Sequence, residues 1–305
     1  MLTLLFVVFL LASVGVRLWL ANRQIRNVLA HRAEVPAEFA SRISLASHQK
    51  AADYTTARVR LGMVEGVFDA AVLVGLTLLG GLQTIDLWVS SLTTHDLLRQ
   101  ILLIVVVSVL LGVIGMPFSI YRQFKLEAKF GFNRMTPGLF ISDLFKGLAL
   151  GAALGLPLIA AILWLMAEAG NYWWLWAWGL WSAFNLLVLF IFPTWIAPFF
   201  NKFTPLSDET LASSIRALAD RCGFALNGLF VMDGSKRSAH GNAYFTGFGK
   251  ARRIVFFDTL LSRLTPDEII AVLAHELGHF KHKHILKRLV FSLSLIHISE
   301  PTRPY

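Results

Sequence analysis

Five stretches of this 305-residue chain are long and apolar enough to cross a hydrocarbon core, and that fact leaves few folds open to it. They run roughly Leu2–Ala21, Met63–Leu82, Ile101–Ile120, Leu148–Ala167 and Trp173–Ile196. With no water in a bilayer to satisfy the backbone, such stretches must become helices. The composition agrees, since 56% of residues are hydrophobic and only 15% charged, a balance that belongs to membrane proteins. The expected fold class is mainly α: a multi-pass helical membrane protein with five predicted transmembrane helices, followed by a small α+β part. The first stretch has no basic n-region and no small-residue cleavage site before Arg23, so it reads as a retained helix and not as a signal peptide. Five of the nine tryptophans fall between Trp173 and Trp181, as an aromatic belt at a membrane interface would place them.

The formal net charge of +9 invites a nucleic-acid reading, but the basic residues sort by connection. Arg23, Arg26, Arg32, Arg42, Lys50, Arg58 and Arg60 lie in the first connection, and only Arg99 lies in the second. Arg122, Lys125, Lys129, Arg134 and Lys146 surround the third, and the fourth has none. By the positive-inside rule the odd-numbered connections are cytoplasmic, the N-terminus is outside, and everything after Ile196 is inside. The bilayer is therefore the expected partner of the charge pattern, and no nucleic acid is expected. A single cysteine, Cys222, permits neither an internal disulfide nor a thiolate metal cluster.

The soluble part opens near Asn201. Ser207-Asp208-Glu209 precedes Leu211, Ile215, Leu218 and Ala219 at helical spacing. Gly228–Met232 reads as a strand closed by the Asp233-Gly234 turn. Ala243–Thr246 and Arg253–Phe257 read as two further strands, joined as a hairpin across Gly247 and Gly249. Thr265-Pro266-Asp267-Glu268 then gives a clear helix start. Thr265 can cap, Pro266 suits the first helical position, and Glu268 stands three residues on to complete a capping box. The helix is expected from Pro266 through His279 and on towards His284.

His275-Glu276-Leu277-Gly278-His279 lies inside that helix. Residues four apart share a helix face, so the imidazoles of His275 and His279 can meet one zinc ion from consecutive turns. Glu276 stands beside the metal without ligating it, where it can take a proton from zinc-activated water and hand it to a leaving amine. A catalytic zinc takes three protein ligands and keeps one position open. His282 is seven residues beyond His275, about 10.5 Å of helix rise, so one straight helix cannot converge all three. His282 and His284 are expected to be interfacial or solvated. Glu300 precedes Pro301, which disfavours helix at that position.

Several segments together resemble the membrane-embedded CAAX prenyl protease 1 family of zinc endopeptidases and its bacterial relatives. They are Phe130-Gly-Phe-Asn133 with Asp143 and Lys146, and Phe199-Phe-Asn-Lys-Phe203 with Pro205-Leu206. Asp233-Gly-Ser-Lys-Arg-Ser238 follows, then His240, Asn242-Ala-Tyr-Phe245, Arg253-Ile254-Val255, Phe257-Asp258-Thr259-Leu260 and the His275–His279 segment. The resemblance implies a helical membrane barrel around a water-filled chamber, with a zincin-like catalytic part. It implies His275 and His279 as zinc ligands, Glu276 as the base, and Asn242, Ala243, Tyr244 and Phe245 as an edge strand that holds an extended peptide or protein substrate. For Asn242 a plain turn role stays open. Glu65 and Asp69, four apart in the second apolar stretch, either face such a chamber or sit at the interface.

Members of that family continue through further membrane helices to a glutamate that supplies the third zinc ligand, so the expectation is a C-terminally truncated chain that is itself weakly active. The expected division is a membrane domain over residues 1–200, an incomplete catalytic domain over 201–291, and a non-native tail over 292–305. Leu293-Ser-Leu-Ile-His-Ile-Ser-Glu-Pro-Thr-Arg303 resembles an in-frame translation of a sequencing-library adapter. The expected setting is a bacterial inner membrane with the catalytic part on its cytoplasmic side, processing or clearing membrane proteins or peptides. A non-catalytic membrane scaffold that retains the motif is the alternative.

Overall fold

A computed structural model gives the structure of residues 1–224, 226–246, 253–282 and 287. The chain forms two compact units, Met1–Asn133 and Arg134–Tyr305.

In the first unit, α1 (Leu2–Ala30) packs on α2 (Leu45–Thr77), and α3 (Gly81–Leu92) packs on α4 (Asp96–Tyr121). Helix α4 runs on through a π-helical stretch, Arg122–Glu127, into the short α5 (Ala128–Phe130). The expected helix over Met63–Leu82 is broken. Helix α2 stops at Thr77, Gly80 takes φ 82°, and α3 leaves at a bend of 54°. A left-handed residue is cheap only for glycine, and a Cβ on Gly81 would stand 2.8 Å from the Gly75 carbonyl oxygen. The Gly80-Gly81 pair thus turns the chain where apolar composition alone suggested continuity. Among the described residues four helices are long and apolar enough to cross a membrane, five if α2 and α3 count as one bent span.

Polar side chains tie the helix ends of this unit together. Arg32 donates two hydrogen bonds to the Asp53 carboxylate, at 2.8 and 2.9 Å. Tyr54 donates to Glu127 at 2.7 Å, and its ring lies against Phe130 and Phe132. Gly131 ends α5 at φ 81°, and Gln123 donates to Asn133 at 2.6 Å. Glu65 is paired with Arg122, whereas Asp69 is exposed.

The second unit begins with α6 (Pro137–Glu168), whose first turn is capped by Thr136. Then come α7 (Trp173–Ile191), a π-helical stretch over Phe192–Ile196 that begins at the Pro193 step, and α8 (Ala197–Phe200). Trp173, Trp174, Trp176, Trp178 and Trp181 are all exposed, as an interfacial belt requires. The soluble part follows as β1 (Phe203–Pro205), α9 (Glu209–Arg221), β2 (Gly228–Met232), β3 (Ala243–Thr246), β4 (Arg253–Phe257), α10 (Asp258–Leu261) and α11 (Pro266–Lys281).

The four strands form one sheet in the order β1-β2-β4-β3. Strands β3 and β4 pair antiparallel, Ala243 opposite Phe256 and Thr246 opposite Arg253, as the hairpin reading expects. Their connection, 247–252, lies outside the described residues. Two features had no counterpart in the sequence reading: β1 pairs antiparallel with β2, and β2 pairs parallel with β4. Helices α9 and α11 cover one face. Leu211, Ala212 and Ile215 of α9, Leu229, Ile254 and Phe256 of the sheet, and Ile269 and Leu273 of α11 form its core, each at most 7% exposed.

Candidate active site

Helix α11 starts as its sequence directs. Thr265 Oγ1 accepts from the Glu268 amide at 3.4 Å, and the Glu268 carboxylate accepts from the Thr265 amide at 2.9 Å and from its hydroxyl at 3.0 Å. That reciprocal closure fixes where the helix begins and so which side chains face the sheet. Ile269, Leu273 and Leu277, four apart, are 2%, 0% and 1% exposed. Two positions off that row, about 200° round the helix, stand His275 and His279, both exposed.

The two imidazoles meet across one turn with ring centroids 4.8 Å apart and planes at 89°. Glu276, between the apolar row and the histidine row, is half-buried. Two nitrogen donors on consecutive turns, turned outward and braced by a buried row behind them, suit a borderline-soft divalent ion such as zinc. They could supply two of its protein positions. Among the described residues no third His, Cys, Asp or Glu joins them to make a metal-binding group. His282 is exposed, its amide continuing the helix by donating to the Gly278 carbonyl at 3.1 Å. His284 and Glu300, and the 292–305 segment with its adapter-like residues, lie outside the described residues.

Strand β3 is an outer strand of the sheet, paired on one side with β4. Its side chains alternate as a half-buried strand must. Ala243 and Phe245 pack against the core under α9 and α11, while the Tyr244 ring meets Phe257 at 6.3 Å. Burial pushes the Tyr244 phenol above its ordinary pKa. Phe245 also packs on the cluster of Ala219, Phe224 and Leu277, so the edge strand is joined to α11 through the residue that follows Glu276. Asn242 opens the strand: its carbonyl accepts from the Phe257 amide at 2.9 Å, and its side chain accepts from the Ala243 amide at 2.9 Å.

The remaining signature residues hold the surrounding loops. Arg237 donates to both Asp143 oxygens at 2.7 and 2.9 Å, to Asn201 Oδ1 at 2.5 Å and to the Phe200 carbonyl at 2.8 Å. Asp233 accepts from the Lys202 amide at 2.8 Å and pairs with Lys236 at 2.9 Å. Asp258 accepts from the Ser235 amide and the Thr259 amide, each at 2.8 Å, and from the Ser235 hydroxyl. Thr259 donates to the His240 carbonyl at 2.8 Å. Sequence reasoning had placed these residues in recurring segments without a role. No local spacing announces an ion pair between positions 143 and 237. A cavity of about 390 Å³ lies beside Asp208, Leu264 and Ile269 at the start of α11, and no residue of the His275–His279 segment lines it.

Comparison with known proteins gives the same picture over most of the chain. A model described as the CAAX prenyl protease N-terminal region, five membrane helices, matches residues 24–202, and one described as peptidase family M48 matches residues 205–300. CAAX prenyl protease 1 of Saccharomyces cerevisiae is 46% identical over 180 residues, 59% of this chain and 40% of its own length. A rice homologue is 43% identical over 197 residues, 64% of this chain and 46% of its own. A Caenorhabditis elegans homologue is 33% identical over 317 residues, 94% of this chain and 71% of its own. The chain thus spans less than half the length of the first two relatives. The crystal structure of Saccharomyces mikatae Ste24p superposes with a TM-score of 0.87 at 33% identity, over 94% of this chain and 68% of that one.

Proposed function

The chain belongs to the CAAX prenyl protease group of peptidase family M48, and on that premise we propose that it carries the centre of an integral-membrane zinc endopeptidase, at His275, Glu276 and His279. The observation that carries the proposal is the imidazole pair of α11, 4.8 Å apart on its outward face, with the half-buried Glu276 beside it.

His275 and His279 would hold the zinc, and a third protein ligand would come from residues beyond the described ones. Bound zinc would supply a Lewis acid that polarises the scissile carbonyl and acidifies water. Glu276 then takes the proton of the attacking water and delivers it to the departing amine. The buried row Ile269, Leu273 and Leu277 holds the helix so that these three side chains keep their bearing on one another. Strand β3, from Ala243 to Thr246 and opened by Asn242, offers its outer edge to an extended peptide. Such pairing uses backbone hydrogen bonds and tolerates varied side chains.

The basic connections put the N-terminus outside and α11 on the cytoplasmic side, whether the bilayer is a bacterial inner membrane or another that faces cytoplasm. In this reading residues 1–200 are the membrane part, and 201–291 carry the catalytic helix and substrate strand. With two zinc ligands among the described residues, those residues alone would bind zinc weakly. A labelled peptide offered to the full-length protein tests the base. Glu276→Gln should lower cleavage by about 10²–10⁴-fold, while unchanged cleavage would rule out this role and favour a scaffold that keeps the motif.

A further inference from the structure

The first unit carries a second cavity, of about 310 Å³, far in sequence from the histidine helix. Leu29 of the last turn of α1, Asp53, Thr56 and Arg60 of the first half of α2, and Lys129 and Phe130 of α5 line it. All three helices reach the cavity beyond the ends of their apolar stretches: Leu29 follows Ala21, Asp53, Thr56 and Arg60 precede Met63, and Lys129 follows Ile120. The cavity thus lies on the polar side of those stretches, the side on which lipid headgroups stand.

Its charges are unbalanced. The Asp53 carboxylate is already taken by Arg32, in the two-bond pair at 2.8 and 2.9 Å. Arg60 makes no ion pair among the described residues, and Lys129, which lies 5.6 Å over the Phe130 ring and feels the Asp53 charge, makes no salt bridge there. Lys50 adds a third nearby: its Nζ lies 3.8 Å from where a Cβ on Gly131 would stand. Thr56 is 6% exposed, and its hydroxyl has no hydrogen-bond partner. A buried hydroxyl left without an acceptor is costly enough to need explaining.

We propose that this cavity binds a phosphate group, and that in the membrane the phosphate belongs to an anionic phospholipid. A phosphate's tetrahedral oxygens can accept from a guanidinium, an ammonium and a hydroxyl that arrive from different directions, whereas a carboxylate's acceptor sites lie in one plane. Arg60 and Lys129 supply the charge, and Thr56 the buried donor. Leu29 and Phe130 give the apolar wall against which the glycerol and first methylenes of a lipid rest. A free phosphate ion would use the same three donors and leave that wall bare.

Lipid retention by the purified 305-residue chain in neutral detergent, read by native mass spectrometry, tests the proposal. Phosphatidylglycerol, phosphatidylcholine and sodium phosphate are titrated in turn into wild type, the double variant Arg60→Gln/Lys129→Gln, Thr56→Val, and the control Arg42→Gln, a basic residue of the same connection outside the cavity. The expected result is saturable binding of one phosphatidylglycerol per chain. The double variant should weaken it by about tenfold or more, as loss of charge-assisted bonds would, Thr56→Val should weaken it by less, and Arg42→Gln should leave it unchanged. Sodium phosphate that binds with that same order of variants, and displaces the lipid, would keep the site and make its ligand the soluble ion. Phosphatidylglycerol held equally by all four proteins, or no better than phosphatidylcholine, would overturn the proposal. Melting curves of the four proteins show whether any loss comes from unfolding instead.

Discussion

His275 and His279 were legible in the chain as a spacing. Four residues is one turn, and the structure sets their rings 4.8 Å apart. Glu276 was legible for the same reason, since one step of helix puts it beside the two histidines without pointing it at the same spot. Tyr244 was not legible in this way. Its place in the strand was visible, but the burial that raises its phenol pKa depends on tertiary packing, in which its ring meets Phe257. That shift has a sign in the stability. The unfolded chain loses the phenol proton near the ordinary tyrosine value of about 10, and the folded chain holds it to higher pH, so Tyr244 weakens the fold as pH rises through that interval. A difference titration at 295 nm between wild type and Tyr244→Phe should show the removed tyrosine ionising above the ordinary value of about 10. A Tyr244 midpoint at or below the ordinary value would contradict the burial argument.

Elements differed in how far they could be read. Helix α11 was fixed by its own residues, because Thr265 and Glu268 close the capping box within one turn. Removing that cap in Thr265→Ala should cost about 1 kcal/mol, measured by denaturant unfolding, and an unchanged midpoint would show that tertiary packing alone sets the start. The α2–α3 break was harder to see, because hydropathy over Met63–Leu82 is continuous and only the Gly80-Gly81 pair marks the turn. Strands β2, β3 and β4 showed as apolar runs between turn residues. Strand β1 is three residues long and contains Pro205, too short for any periodicity and possible only at an edge. The parallel pairing of β2 with β4 is a matter of which strands meet, and no window of sequence carries that.

Within the second unit, the signature segments turn out to be parts of one hydrogen-bonded frame. Arg237 reaches from the soluble part to Asp143 on the membrane helix α6 and to the chain leaving α8. Its two-bond pair with Asp143 is about four-fifths buried on both sides, at 20% and 18% exposure, where a broken pair leaves a charge without its partner. Asp143→Asn should therefore destabilise the protein by about 2 kcal/mol. A double-mutant cycle with Arg237→Gln should return a coupling of about 1–3 kcal/mol, and additive losses would show that the two act separately. This frame ties the soluble part to α6 and to the chain leaving α8; the proposed zinc centre is carried by α11 of the same unit. Zinc titration by calorimetry of the 305-residue chain, beside His275→Ala and His279→Ala in the same detergent, tests the account at its centre. Saturable binding of one ion per chain, lost in either variant, is the predicted result. Binding that survives either substitution would contradict a centre built on these two histidines.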